Sequence, residues 1–254
     1  MARTVPAVQR AFAILEMLTG ERAELRAPEI VDELRLPRTT VHELVNTLVS
    51  LGYLETSPIR PGVYRLGQKL VGLGMTYVDR LDLAVEGRKV AEQIVRECSE
   101  TVHVAALDGR DAVYLVKVDS TRAVRMVSAQ GRRLPAHCTA VGKMLLAQLP
   151  DAEVDALYRD ADLESLTPNS ITDMGQLRAT LDEVRRAGVA FDREESTLEV
   201  SCVSAPVYDH NANVVAAMSV SIPVTRWDER GDEGWAALVR DGADRLSRQL
   251  GKQG

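Results

Sequence analysis

Short hydrogen-bonding side chains recur along one side of the stretch that follows Pro37. Their spacing of i, i+3, i+4 and i+7 places them on one face of a helix. The set consists of Thr39, His42, Glu43 and Asn46, with Arg38 and Thr40 in the first turn. Asparagine can pair with adenine edges, arginine with guanine or phosphate, and threonine hydroxyls and helix N-terminal N–H groups with phosphate. The pattern predicts a helix face that contacts the major groove of DNA; the alternative is an ordinary solvated face.

Three apolar stripes with helical spacing surround this face. They cover residues 8–18, 27–34 and 41–51, and the break at residues 35–37 between the last two is only three residues long. Two helices joined by so short a turn, with a first helix packed across them, form a helix-turn-helix. Two short strands, residues 53–56 and 63–66, then flank a turn-rich tip that carries Arg60. The hairpin predicts a wing whose arginine reaches the DNA backbone or minor groove.

A second set of polar residues lies in a different part of the chain, among strand-like runs. In residues 214–222 the even positions are apolar and face a core, while the odd positions end in Ser219 and Ser221. Cys202 has the same alternating placement in a neighbouring run, where a buried small hydrophobe is its usual role. Thr139 is predicted to cap a helix whose first N–H groups can accept an anion. These residues predict either a polar-tipped cavity or a plain solvated edge.

The elements that must position this second set alternate between helices and strands. Residue patterns predict helices at residues 83–98, 139–148, 151–158, 176–187 and 235–250, and strands at residues 101–107, 112–118, 123–128, 200–208 and 214–223. Consecutive hairpin strands with inserted helices indicate an α+β domain on an antiparallel sheet. Between the two regions, Leu70, Leu73, Tyr77 and Leu81 form a helical seam. The seam packs either on its own domain or on a second copy of the chain.

Composition restricts the class of protein. The 254 residues are 45% hydrophobic and 27% charged, and no apolar run is long enough for a membrane span. The N-terminus has no hydrophobic signal region, and three separated cysteines suit a reducing cytoplasm. Residues 1–66 hold eight arginines and eight acids, so the remainder carries the whole net charge of −6. We therefore expect a cytoplasmic protein with a small phosphate-binding face rather than a general nucleic-acid binder.

Three other functions compete with a DNA-binding sensor. An enzyme is suggested by the adjacent His137 and Cys138, yet neighbours in sequence rarely form a working base and nucleophile, and the nucleophile motif Gly-x-Ser-x-Gly is absent. A metal site would have to be assembled by the fold, because the spacings of His103, His137, Cys138 and Cys202 match no known finger or HExxH pattern. The third alternative is a DNA-bound scaffold without a ligand. No cofactor is predicted, since the dinucleotide fingerprint fails after Gly72 and Gly74.

The chain resembles the IclR family of bacterial transcription regulators over essentially its whole length. Seven segments carry the resemblance in the right order: Val8-Gln9-Arg10-Ala11, Leu36-Pro37-Arg38-Thr39-Thr40-Val41-His42, Gly52-Tyr53-Leu54, Tyr64-Arg65-Leu66-Gly67, Leu134-Pro135-Ala136-His137 with Gly142-Lys143, Gly188-Val189-Ala190-Phe191-Asp192 and Ala205-Pro206-Val207. The resemblance implies a winged helix-turn-helix in residues 1–66, a linker helix in 67–82 and a GAF-like effector-binding and oligomerisation domain in 83–254. One departure is Glu43, where the family usually has arginine. Family operator sequences therefore should not be transferred.

The resemblance also implies sites and partners. DNA contacts are assigned to Arg10, Arg38, Thr39, Thr40, His42, Asn46 and Arg60. A small carboxylate effector is assigned to Ala140, Val141, Asp192, Cys202, Ser219 and Ser221, with apolar walls from Met126, Leu134 and Val200. The Asp192 carboxylate is unfavourable beside an anion, so it is either paired elsewhere or faces a donor on the ligand. The expected protein is a dimer, or a pair of dimers, that represses a catabolic operon from a palindromic operator and is not an enzyme. The alternatives are an activator of the same architecture and, after it, a GAF-like enzyme that depends on the Cys202 thiol.

Overall fold

The computed structural model describes residues 4–19, 23–78, 82–122 and 131–252, with the backbone alone for residues 74–78. The chain divides into two compact units, Met1–Arg80 and Leu81–Gly254. Among the described helices, none is long and apolar enough to cross a membrane.

The first unit contains four helices and a small antiparallel sheet among its described residues. Its elements in chain order are α1 (Pro6–Glu16), β1 (Leu25–Arg26), α2 (Ala27–Leu34), α3 (Arg38–Ser50), β2 (Leu54–Thr56), β3 (Val63–Leu66) and α4 (Lys69–Val78). The sheet order is β1-β3-β2. The winged helix-turn-helix is thus confirmed. The two-residue strand β1 was not predicted, and the expected stop at Gly20 lies outside the described residues.

The turn between α2 and α3 is set by backbone geometry at its two ends. Arg35 ends α2 in the left-handed region at φ 51°, and Pro37 precedes the first turn of α3. Proline has no backbone N–H to donate. Because the residue at the start of a helix has no carbonyl of an earlier turn to donate to, Pro37 costs α3 no hydrogen bond. Below the turn, Ile30 and Val41 are completely buried in the core of this unit. The short connection and the shared apolar core therefore keep α3 packed against α2.

Gly67 fixes the base of the wing. Its N–H donates to the Tyr53 carbonyl at 2.9 Å. A Cβ at this position would lie 2.2 Å from the Gly52 carbonyl oxygen, closer than any real contact. Only glycine allows the end of β3 to approach the turn after α3 this closely.

The second unit is a six-stranded antiparallel sheet with helices on both faces. Its elements are α5 (Leu83–Cys98), β4 (Thr101–Asp108), β5 (Asp111–Val118), β6 (Arg133–Pro135), α6 (Ala140–Leu146), α7 (Asp151–Tyr158), α8 (Met174–Ala187), β7 (Ala190–Arg193), β8 (Val200–Tyr208), β9 (Val214–Pro223) and α9 (Gly231–Gln249), with 3₁₀ turns at Ala136–Cys138 and Val224–Glu229. The sheet order is β6-β5-β4-β9-β8-β7. The predicted α+β class with an antiparallel sheet is confirmed.

The two faces of the sheet carry two separate apolar clusters. Met218, Val220 and Ile222 of β9 belong to the cluster that contains residues of α5 and α9. Ala217 belongs to the cluster that contains residues of α6, α7 and α8. The alternation predicted for β9 therefore holds from Ala216 onward. Val214 packs on the opposite cluster instead, where the pairing register of β8 and β9 shifts.

Several predicted boundaries differ from the structure. Strands β6 and β7 were not predicted, and the helix expected at 139–148 is shorter, Ala140–Leu146. The last helix begins at Gly231 rather than Trp235, and α8 begins at Met174 rather than Gln176. The expected strand at 123–128 and the seam side chains of Tyr77 and Leu81 lie outside the described part.

Candidate nucleic-acid interface and ligand site

Helix α3 has one buried and one exposed side. Val41, Val45 and Leu48 are buried in the core of the first unit. The polar residues of the predicted DNA face point the other way: Arg38, Thr39, His42, Glu43 and Asn46 are exposed, and Thr40 is half-buried. The helix is therefore free to present these side chains to a groove while its apolar side holds the domain together.

The N-terminus of α3 is also available to an anion. Pro37 is its cap residue, and no side chain of the described residues accepts from its first-turn N–H groups. Such groups carry the positive end of the helix dipole and bind phosphate well. The start of α3 thus fits a phosphate flanking the groove.

The two other predicted DNA contacts lie outside α3. Arg10 is exposed on α1. Arg60 lies between the wing strands with 63% of its side chain exposed, and it forms an ion pair with Glu24. A surface ion pair of this kind is weak, so it leaves the Arg60 guanidinium able to exchange partners.

Polar residues cross the second unit's sheet in two adjacent rows. In the first row Asp192 of β7 pairs with Cys202 of β8, which pairs with Ser221 of β9. In the second row Ser204 of β8 pairs with Ser219 of β9, and Ser219 pairs with His103 of β4. Residues paired or two apart on a strand share a face, so the rows form one polar band. The structure therefore brings four of the predicted effector residues together.

A chain of contacts runs along the middle of this band. The Cys202 thiol donates to Ser221 Oγ at 3.2 Å, and Ser221 Oγ lies 3.4 Å from His103 Nδ1. Burial lowers the pKa of His103 to about 3, with a further lowering from Lys117. Burial also raises the pKa of the Cys202 thiol. His103 is therefore neutral, and Cys202 is a thiol donor rather than a nucleophile.

Asp192 is held by its own loop. Its carboxylate accepts from the Glu195 N–H at 2.7 Å, from the Ser196 N–H at 3.3 Å and from Ser196 Oγ at 2.5 Å. Burial outweighs the Ser196 hydrogen bond and raises the pKa of Asp192 to about 6. Of the two alternatives derived from the sequence, the structure shows a carboxylate satisfied within the chain.

Helix α6 contacts the same face of the sheet as the polar band. Thr139 caps it as predicted, because its Oγ1 accepts from the Gly142 N–H at 3.0 Å. A Cβ on Gly142 would lie 2.2 Å from the Ala136 carbonyl oxygen, so glycine is needed for the helix to leave the 3₁₀ turn. Ser204 Oγ donates to the Ala140 carbonyl at 2.7 Å. Ala140 and Val141 are therefore fixed next to the band.

The predicted apolar walls are placed less uniformly. Leu134 of β6 is buried in the same apolar cluster as Val141. Val200 begins β8 on the face that Cys202 occupies and is half-buried. Met126 lies outside the described residues.

A buried ion pair beside the band was missed in the sequence. Lys143 of α6 and Glu195 are both buried, and the Lys143 ammonium donates to both carboxylate oxygens, at 2.5 Å to Oε2. Glu195 Oε1 also accepts from the Arg193 N–H at 3.2 Å. The two side chains line a cleft of about 620 Å³ between α8 and β7. The sequence signal that could have revealed this ion pair is Lys143 itself, which interrupts an otherwise apolar run of residues in α6.

The residues proposed for thiol or metal chemistry are engaged elsewhere. His137 Nε2 lies 2.9 Å from the Glu164 carbonyl, and Cys138 Sγ donates to the Pro135 carbonyl at 3.3 Å. Burial raises the pKa of Cys138 to about 12, so its thiolate is scarce at neutral pH. Among the described residues, no cluster of three or more histidine, cysteine, aspartate or glutamate side chains fits a metal ion.

Comparison with known proteins covers both units. Residues 7–58 match the family model of the IclR helix-turn-helix domain, and residues 75–248 match that of the bacterial transcriptional regulator IclR C-terminal region. The chain is 34% identical to the transcriptional regulator XynR of Escherichia coli over 97% of this chain and 98% of XynR. It is 32% identical to the regulator KdgR of E. coli, covering 98% and 94%. The structure matches the repressor BlcR of Agobacterium tumefaciens with a TM-score of 0.87, 28% identity and full coverage of both chains.

Proposed function

Because the chain belongs to the IclR family of bacterial DNA-binding transcriptional regulators, we propose that it represses a catabolic operon and responds to a small carboxylate. The observation that carries the DNA-binding part of the proposal is the exposed polar face of α3, opposite its buried apolar side. Its relatives are transcriptional regulators rather than enzymes, and BlcR is named a repressor. An activator of the same architecture is the second candidate. The division into residues 1–66, 67–82 and 83–254 is part of the proposal.

In the proposed complex, α3 lies in the major groove and the N-terminus of the helix faces a phosphate. Arg38, Thr39, Thr40, His42 and Asn46 supply the helix contacts, and Arg10 and Arg60 contact the backbone from either side. Asn46 pairs with adenine and Arg38 with guanine or phosphate. This division predicts that Asn46 determines which bases are preferred, whereas Arg10 and Arg60 determine mainly how binding depends on salt.

The effector is proposed to bind at the polar band, over which α6 packs. The proposed donors are the Ser219 and Ser221 hydroxyls, the Cys202 thiol and the backbone N–H groups of Ala140 and Val141. The thiol would have to give up its hydrogen bond to Ser221 Oγ to reach the effector. Asp192, Leu134, Val200 and Met126 complete the proposed site. Because these donors are neutral, a carboxylate would be held by hydrogen bonds rather than by an ion pair. Effector binding is proposed to change the spacing of the two recognition helices in a dimer.

Exposed apolar side chains on the first unit support a homodimer, or a pair of dimers, on a palindromic operator. Val5, which precedes α1, and Val8 and Phe12 of α1 are 60%, 53% and 59% exposed. Val71 and Leu73 of α4 are 65% and 55% exposed. Grouped apolar residues on a surface mark an interaction site. A dimer that binds a palindromic operator needs its two α3 helices about one helical turn of DNA apart.

A DNA retention assay tests the interface. Arg38→Ala or Asn46→Ala should abolish retention of the operator fragment in a mobility shift, while thermal stabilisation by an effector stays unchanged. Arg96→Ala is the matched control, because this exposed arginine lies on α5 in the other unit. Unchanged operator affinity in both α3 variants would remove these residues from the interface.

A thermal-shift screen of small carboxylates tests the ligand site. Ser221→Val and Cys202→Leu should keep DNA binding and reduce the stabilisation by any active carboxylate. Cys98→Ala is the control, since this buried cysteine belongs to the cluster on the opposite face of the sheet. A response that survives both substitutions would place the pocket elsewhere. Stabilisation by no carboxylate would favour a DNA-bound scaffold, and turnover of a carboxylate would favour an enzyme.

A further inference from the structure

Glu43 lies in the middle of the exposed face of α3, and its carboxylate has no side-chain partner among the described residues. It lies between His42 and Asn46 and is itself exposed. Its neighbours three and four residues away are Thr39, Thr40, Asn46 and Thr47, none of which is basic. Within the part of the chain that the structure describes, only its backbone carbonyl has a side-chain partner, the Thr47 hydroxyl. The helix-stabilising ion pair that usually explains an exposed glutamate is therefore missing.

The position of Glu43 is unfavourable for simple attraction to DNA. Duplex DNA carries one negative charge per about 1.7 Å of its axis, so a carboxylate that faces phosphates is repelled. A carboxylate in the major groove gains only from a donor on a base edge. Cytosine offers its N4 amine without an acceptor on the same base edge, whereas adenine presents N7 beside its amine. Cytosine is thus the base that fits this side chain.

We propose that Glu43 is a specificity-determining residue that selects a cytosine in each half-site of the operator by accepting a hydrogen bond from its N4 amine. The inference rests on the proposed docking of α3 in the major groove. It assigns a role to the acidic member of the α3 face, whereas the proposed contacts described above use only the neutral and basic members.

Binding-site selection from a random duplex library tests the inference. The wild-type chain should return half-sites with one position restricted to cytosine. Glu43→Gln should change that position to adenine, because a glutamine amide pairs with adenine N6 and N7. Glu43→Ala should lose the preference at that position and keep the rest of the half-site. Glu92→Gln is the matched control, an identical change at an exposed glutamate of α5, and should return the wild-type half-site.

Binding affinities for individual duplexes measure how strongly the wild type prefers cytosine at this position. Replacing the selected cytosine by thymine, or by a pyrimidine that lacks only the N4 amine, should weaken wild-type binding about 5- to 150-fold at fixed salt. The same replacements should change the affinity of Glu43→Ala by less than about twofold. The inference is overturned if Glu43→Gln and the wild type select the same half-site. If the wild type selects no half-site at all, the proposed function fails as well, and the two failures are thereby distinguished.

Discussion

Replacement of Asp192 by asparagine should make the second unit more stable relative to the wild type as pH rises. The pKa of Asp192 is raised from 3.8 to about 6, chiefly by burial, and the side chain is 1% exposed. The folded chain therefore binds this proton more tightly than the unfolded chain does. The stability that the protonated carboxyl contributes is fully present below about pH 4 and is lost as pH rises through 6.

The magnitude follows from the shift in the pKa. A difference of about two units corresponds to about 3 kcal/mol of unfolding free energy between acidic and neutral pH. Asparagine remains neutral and keeps one oxygen for the Glu195 N–H, while Ser196 Oγ can accept from its amide. The stability of Asp192→Asn minus that of the wild type should therefore increase by about 2 kcal/mol between pH 4.5 and 8, because at pH 4.5 the carboxyl of the unfolded chain is already mostly ionised.

Urea unfolding followed by tryptophan fluorescence measures this difference. Both tryptophans, Trp227 and Trp235, belong to the second unit, so the signal reports the unit that contains Asp192. Asp209→Asn is a control of opposite sign. Burial raises the pKa of Asp209, but backbone hydrogen bonds from Asn213 and Asn211 outweigh it and lower the pKa, so the wild type loses this contribution as pH falls. If the unfolding free energy of Asp192→Asn minus that of the wild type stays constant or falls as pH rises, the reasoning is refuted.

Three further predictions concern stability and assembly. Lys143→Met should lower the unfolding free energy measured in urea by about 3–5 kcal/mol, because it leaves the buried Glu195 carboxylate uncompensated. Lys89→Met, at an exposed ion pair, should lower it by less than about 1 kcal/mol. Equal losses in the two variants would contradict the burial argument. Gly142→Ala should lower the unfolding free energy by about 1–3 kcal/mol, since its Cβ would overlap the preceding turn; a wild-type unfolding midpoint would show that the turn gives way. Phe12→Asp should shift sedimentation toward monomer, because it places a charge on an exposed apolar side chain of α1. An unchanged sedimentation profile would exclude Phe12 from the interface.

The DNA-binding unit was readily predictable because its signals are local. The apolar stripes that bury Ile30, Val41 and Val45 have helical spacing, and Pro37 marks the start of α3. The strand at Leu25–Arg26 escaped prediction because two residues carry no alternation. Its pairing with Val63 and Tyr64 joins distant parts of the chain, which periodicity does not report.

The second unit was predictable in class but not in its detailed interactions. The alternation in β9 indicated which side Ser219 and Ser221 occupy. The short strand that places Asp192 beside Cys202 was not visible, because its four residues follow a helix end without a clear period. The burial of Lys143 against Glu195 also depends on contacts 52 residues apart. Sequence patterns therefore located the polar residues, whereas long-range packing determined which of them are paired.

The central claim is that α3 reads specific bases, and the most direct test is the ratio of two affinities. Fluorescence anisotropy at a fixed, near-physiological salt concentration would compare the selected palindromic duplex with a scrambled duplex of equal length and composition. The account predicts that the wild type prefers the selected duplex by at least about a thousandfold, and that Asn46→Ala reduces this preference without changing binding to the scrambled duplex. Equal affinity of the wild type for both duplexes would contradict it.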